Sequence, residues 1–157
     1  MNFTSQICTS REQSERLLAF GLKKETADCY YYAQQRWTGN DYENTGELNL
    51  CPLFNEDDKG HYAYLNETFQ DEVGENDTPY VLPAWSLHRL IEMMPYDFTH
   101  NNNTYELYVT CEGAGYDDGE DSYSVVGWWS GNTYDDIIDC IEWLIKEGYF
   151  NKEYLEE

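Results

Sequence analysis

Positive charge is what this 157-residue chain lacks most: nine Lys and Arg stand against 31 Asp and Glu, a formal charge of −22. The deficit is uneven. Residues 1–36 carry five bases and four acids, whereas residues 60–145 carry one base, Arg89, against seventeen acids. Such a field repels nucleic acid and anionic membrane and attracts cations or basic protein surfaces, and salt screens it. Direct DNA or RNA binding is therefore not expected. The alternative reading is that the acidity only keeps the protein soluble.

Long apolar runs are also missing. The longest, "VVGWW" and "CIEWLI", fall far short of a bilayer span, and "MNFTSQICTSREQ" has no basic stretch leading into an apolar one, as a secretory signal would. The expectation is a soluble, cytoplasmic protein. Cys8, Cys29, Cys51, Cys111 and Cys140 are odd in number and include no Cys-x-x-Cys pair, a pattern that suits reduced thiols better than a disulfide framework or a zinc site.

Aromatic residues, by contrast, are plentiful at 17%, within 41% hydrophobic. That is enough apolar surface to fold, and the length fits a single domain over 1–157, with acidic segments at 38–79 and 112–122. "TSREQSERLLAFG" has a capping-box spacing from Thr9 to Glu12 and a glycine stop, which predicts a helix over 10–20. "KKETADCYYYAQQRW" predicts a second helix, forming a helical hairpin with the first. "GELNLCPLF" and "HYAYLNETFQ" read as a strand pair across "NEDDKG". In "PAWSLHRLIEMMP", Leu87, Leu90, Ile91 and Met94 predict an amphipathic core helix between Pro83 and Pro95, with Arg89 and Glu92 as a surface ion pair. "TYELYVTCE" and "SYSVVGWWS" read as strands, with a turn signal at Asp118–Gly119 between them. A last helix begins at Thr133, carries Asp135 and Asp136 in its first turn, buries Ile137, Ile141 and Leu144, and stops at Gly148. The expected class is α+β: an antiparallel sheet of about four strands packed against three or four helices in two layers.

Chemistry-bearing patterns are few. "NEDDKGHYAYLNE" resembles a calcium loop, but Lys59 and Asn66 occupy ligand positions, which leaves Asp57 and Asp58 as weak metal candidates. Asp117, Asp118, Glu120 and Asp121 crowd the second hairpin and are the binding candidates. His88 and Glu92 lie at i and i+4 without a third ligand. No nucleophile elbow or phosphate loop is present, so neither catalysis nor a cofactor is expected.

Three segments, "TSREQSERLLAFGLKKETADCYYY", "LPAWSLHRLIEMMP" and "DDIIDCIEWLIKEGYFNKEYLEE", resemble a family of small uncharacterised proteins of gut Bacteroidales and their phages and mobile elements. The resemblance implies a phage-borne or mobile-element accessory protein and carries no catalytic residue over. The functional expectation is a non-enzymatic protein that binds a partner with a basic surface. The alternatives are a metal- or small-ligand-binding protein using clustered carboxylates, and a homodimer.

Overall fold

The computed structural model describes residues 6–69, 73, 77–120, 124–126 and 130–157. The chain begins with helix α1 (Arg11–Ala19). Ser10 caps it: its hydroxyl accepts from the Gln13 amide, and the Gln13 side chain accepts from the Ser10 amide. The box thus starts one residue later than the Thr9–Glu12 spacing implies. Thr9 is instead fully buried, its hydroxyl paired with that of Ser14 at 2.7 Å.

The expected second helix is a strand. After a 3-10 turn (Lys24–Thr26) the chain extends as β1 (Cys29–Trp37). It pairs antiparallel with β2 (Tyr42–Pro52) on one side and with β3 (Val81–Ala84) on the other, giving the order β2-β1-β3. Consecutive tyrosines favour a pleated, half-buried surface, and two neighbouring strands satisfy both edges of the backbone. The expected helical hairpin is therefore absent.

Residues 61–69 of the expected strand "HYAYLNETFQ" belong to helix α2 (Glu56–Phe69), and Gln70 lies outside the described residues. Asn55 accepts from the Asp58 amide at 2.9 Å, and the Asp58 carboxylate accepts in return from the amides of Asn55 and Phe54. This reciprocal cap, with Glu56 and Asp57 in the first turn, favours a helix over the local alternation.

Pro83, expected near a helix start, lies in edge strand β3, where its missing N–H is tolerated. Helix α3 spans only Leu87–Met93, capped by Ser86. It buries Leu90 and Met93 and makes the expected Arg89–Glu92 pair at 3.2 Å. A second antiparallel sheet follows in the order β4-β5-β6-β7: β4 (Asp97–His100), β5 (Asn103–Val109), β6 (Ala114–Asp117) and β7 (Ser124–Val126). The class is α+β as expected, but the strands form two sheets rather than one of about four.

Helix α4 (Thr133–Glu147) closes the larger core. Asn132 rather than Thr133 caps it, and Gly148 ends it at φ 80°, a left-handed conformation that suits glycine. Ile137, Ile138, Ile141 and Leu144 are fully buried against Phe98, Tyr105 and Tyr116 of the second sheet, Leu17 of α1 and Trp85. Asp136, in the first turn, is buried too. Its carboxylate accepts from the amides of Ala114 and Ser130, tying the helix to β6.

Cys8 and Cys29 form a disulfide, contrary to the expectation of reduced thiols throughout; Cys51, Cys111 and Cys140 are free. Topology is the cause. Cys8 bridges to Ser86 and Cys29 pairs with Ala84, so neighbouring residues of one segment hold both cysteines. Among the described residues, no helix is long and apolar enough to cross a membrane.

The Trp85 indole N–H donates to the Thr26 hydroxyl at 2.9 Å in a fully buried setting. Thr26→Val keeps the shape and leaves that donor unpaired, so stability should fall by about 1–3 kcal/mol; an unchanged urea midpoint by tryptophan fluorescence would contradict this. The α1–α4 contact should be acid-sensitive. Lys146 and Arg16 hold the Glu142 carboxyl below the usual carboxylate range. That contribution is fully present above the unfolded glutamate pKa, about 4.3, and is lost as pH falls through the lower folded value. Glu142→Gln should flatten the acid limb of the stability profile, and an identical limb in both proteins would refute the contribution.

Candidate functional site

Strands β4 to β6 have one face in the core and the other turned away from it. Along β5, Tyr105, Leu107 and Val109 point to the core, so Thr104, Glu106 and Tyr108 take the other face. Phe98 and Tyr116 fix the same alternation in β4 and β6, which turns Asp97, Thr99, Gly115 and Asp117 outward.

The register then places Asp97 opposite Glu106 and Glu106 opposite Asp117. Directly opposed residues lie on the same face with Cβ atoms about 4.5–5.5 Å apart. Three carboxylates therefore form a row across three strands. Thr99 and Thr104 form the next pair on one side. On the other, Tyr108 faces Gly115, where an added Cβ would lie 2.6 Å from the Tyr108 hydroxyl and 2.7 Å from the Val126 carbonyl oxygen. Gly115 thus lets the tyrosine lie flat beside the acidic row.

Of the residues singled out from sequence, Asp117 stands at the end of this row. Asp118 and Glu120 follow it in the turn, and Asp121 lies outside the described residues. One oxygen of Asp117 accepts from the Gly119 amide at 2.5 Å, and one of Asp118 accepts from the Glu120 amide at 3.1 Å. Each carboxylate thus holds the turn with one oxygen. Gly119, at φ 75°, supplies the left-handed residue this turn needs. Among the described residues, no Lys, Arg or His forms an ion pair with Asp97, Glu106, Asp117, Asp118 or Glu120.

Asp97 and Glu106 were not expected. They sit nine residues apart in separate strands, and only strand register brings them together. The sequence signal for Glu106 was its outward place in "TYELYVTCE"; Asp97 carried none.

Asp57 and Asp58 are far from this face in the fold's order, in the first turn of α2. Asp58 is occupied with capping, and the would-be calcium loop is helical from Glu56 onward. His88 and Glu92 do meet, at 3.0 Å. Among the described residues, no group of three or more His, Cys, Asp and Glu converges to hold a metal ion.

The aromatic surplus divides between core and surface. Tyr30, Tyr62, Tyr105, Tyr116 and Tyr134 are buried, and burial raises the Tyr30 and Tyr62 hydroxyls to about 12. Trp37 and Tyr42 are exposed together at the β1–β2 tip, ring centroids 5.0 Å apart. Trp128 and Trp129 lie outside the described residues.

Comparison with known proteins finds no matching family model, no matching curated protein and no matching solved structure. The functional reading rests on the chain's own geometry.

Like charges placed directly opposite in a sheet destabilise it, by roughly 0.2–1 kcal/mol per pair. Glu106 is the middle member of the row, so Glu106→Gln removes two such pairs and should raise stability by about 0.4–2 kcal/mol. Equilibrium unfolding at low salt checks this. A loss of stability would mean that the carboxylates are not in repulsive register.

Proposed function

We propose that this chain is a non-enzymatic binding protein whose open β4–β7 sheet face docks on a basic protein surface, in the role of a phage-borne or mobile-element accessory protein. One observation carries the reading: the Asp97–Glu106–Asp117 row, in direct register and, among the described residues, without an ion pair to a Lys, Arg or His. A row that weakens its own sheet breaks a local rule of stability, and such breaks gather where function requires them. A partner's Lys or Arg side chains would relieve the repulsion on docking. Tyr108, beside the row, offers the kind of aromatic surface that contributes strongly to interfaces.

The sign of the charge selects the partner. With −22 overall, nucleic acid and anionic lipid are repelled, and a basic protein is drawn in at a rate that ionic strength controls. The accessory role rests on the resemblance of the N-terminal, middle and C-terminal motifs to proteins of Bacteroidales phages and mobile elements. The metal-binding alternative has less support, because the acidic residues it needs spend oxygens on a helix cap and a turn.

The test begins with capture from a Bacteroidales host lysate at low salt, followed by purification of the bound protein and kinetics with the two pure components. A basic partner should associate more slowly as salt rises. The variant Asp97→Asn/Glu106→Gln/Asp117→Asn, folded by circular dichroism, should bind at least about tenfold more weakly, a change of about 1.4 kcal/mol. A partner that binds this variant and the parent equally well, at a rate indifferent to salt, would overturn the proposal.

A further inference from the structure

Basic side chains, scarce in this acidic protein, gather at one place. A cleft of about 790 Å³ opens between the Lys24–Thr26 turn, α2 and α3, and Lys24, Lys59 and Arg89 all line it. These are three of the nine Lys and Arg in the chain, and one of them is the single cation between Gly60 and Ile145. The volume lies in the usual range for small-molecule sites.

Arg89 is set in place rather than left to solvent. Its Nε donates to the Thr26 carbonyl at 2.9 Å, its Nη1 donates to Glu92, and its guanidinium lies 5.8 Å from the Tyr154 ring centre. Only 29% of its side chain is exposed. Tyr62, buried on the α2 side, donates to the Lys24 carbonyl at 3.0 Å and joins the helix to the turn. The cleft walls are therefore held by hydrogen bonds between the same residues that line them.

Carboxylates line the cleft as well: Glu25, Asp28 and Glu67. Asp28 is committed, accepting from the Ser86 amide at 2.8 Å and from the Ser86 hydroxyl. Glu25 and Glu67 remain, both exposed. A ligand carrying only negative charge would meet these two acids within a strongly negative protein. A ligand carrying only positive charge would meet three cations. A molecule with both charges at its two ends suits both sets, and Leu53, Tyr62 and Ala63 offer an apolar wall for what lies between them.

We infer that this cleft binds a small zwitterion of the free amino acid or short peptide class, its carboxylate toward Arg89, Lys24 and Lys59 and its ammonium toward Glu25 and Glu67. The site is separate from the acidic sheet face, so either can fail without the other.

Calorimetric titration of the full chain with the standard L-amino acids and a set of dipeptides tests it, with acetate and inorganic phosphate as single-charge probes. At least one zwitterion should bind. Blocking its amine by acetylation, or its carboxylate by amidation, should weaken binding about tenfold or more. Lys59→Gln and Glu67→Gln, both at exposed positions and checked for folding by circular dichroism, should each weaken it several-fold. Binding of acetate or phosphate as tightly as any zwitterion would overturn the inference. So would the absence of heat with every member of the panel, or binding unaffected by both substitutions.

Discussion

Burying Trp85 requires a partner for its indole N–H, and the way that requirement is met ties separate segments together. The N–H goes to Thr26 in the 3-10 turn, the Trp85 amide goes to the Thr9 hydroxyl, and the Trp85 carbonyl accepts from the Thr9 amide. The next residue, Ser86, binds Asp28 with its amide and hydroxyl while capping α3. Leu87 donates to the Tyr134 hydroxyl of α4, which in turn donates to the Ile7 carbonyl. Three consecutive residues thereby fix the N-terminal segment, the entry to β1, α3 and α4. A buried polar network stabilises a fold only when each member has its partner, and here one junction between β3 and α3 provides most of them. That is the structural role of "PAWSLHRL", more than the apolar stripe that its helical spacing suggests.

Legibility followed whether an element's information was local. Helices α1 and α4 have their caps, periodic apolar residues and glycine stops within a few positions, and both were readable to within a residue or two. β1 and α2 were exchanged in type, each for a physical reason. In "CYYYAQQRW" a helix-compatible spacing competes with aromatic strand preference, and pairing with β2 and β3 decides; a strand's stability lies mostly in neighbours distant in sequence. In "NEDDKGHYAYL" the alternation suggested a strand, although Asn55 with Asp58 three residues on, followed by an apolar pattern, is a helix-start signal. The cap was the stronger local evidence, because it satisfies backbone donors that alternation leaves open.

The candidate site was half legible for the same reason. Asp117, Asp118 and Glu120 are neighbours in sequence and announce themselves as a cluster. The row that gives Asp117 its setting depends on Asp97 and Glu106, and no single-strand reading yields a register spanning three strands. A one-residue slip would have sent those side chains to the opposite face. The core residues on the other side, Phe98, Tyr105 and Tyr116, are what hold the row in place, so packing on one face determines electrostatics on the other.

The distribution of cations explains why the negative field falls where it does. Arg16 of α1 reaches Asp139 and Glu142 of α4 at 2.5 and 2.9 Å, Lys146 binds Glu142, Arg11 binds Glu15 and the Asp77 carbonyl, and Arg36 binds Glu43 across the β1–β2 pair. Four of the nine bases are thus engaged in contacts within or between helices, from helix to loop or from strand to strand, and three more line the cleft, where Lys59 also pairs with Glu56 and Arg89 with Glu92. The near-neutral N-terminal segment supplies, in Arg16, a cation that offsets two acids of the last helix. Among the described residues no comparable ion pair reaches the sheet face, whose strands β4 to β6 contain no Lys or Arg. Its row of carboxylates therefore stands outside the ion pairs that join one element of the fold to another. A surface so arranged can exchange its charge without unfolding the protein, which is the condition a docking face must satisfy.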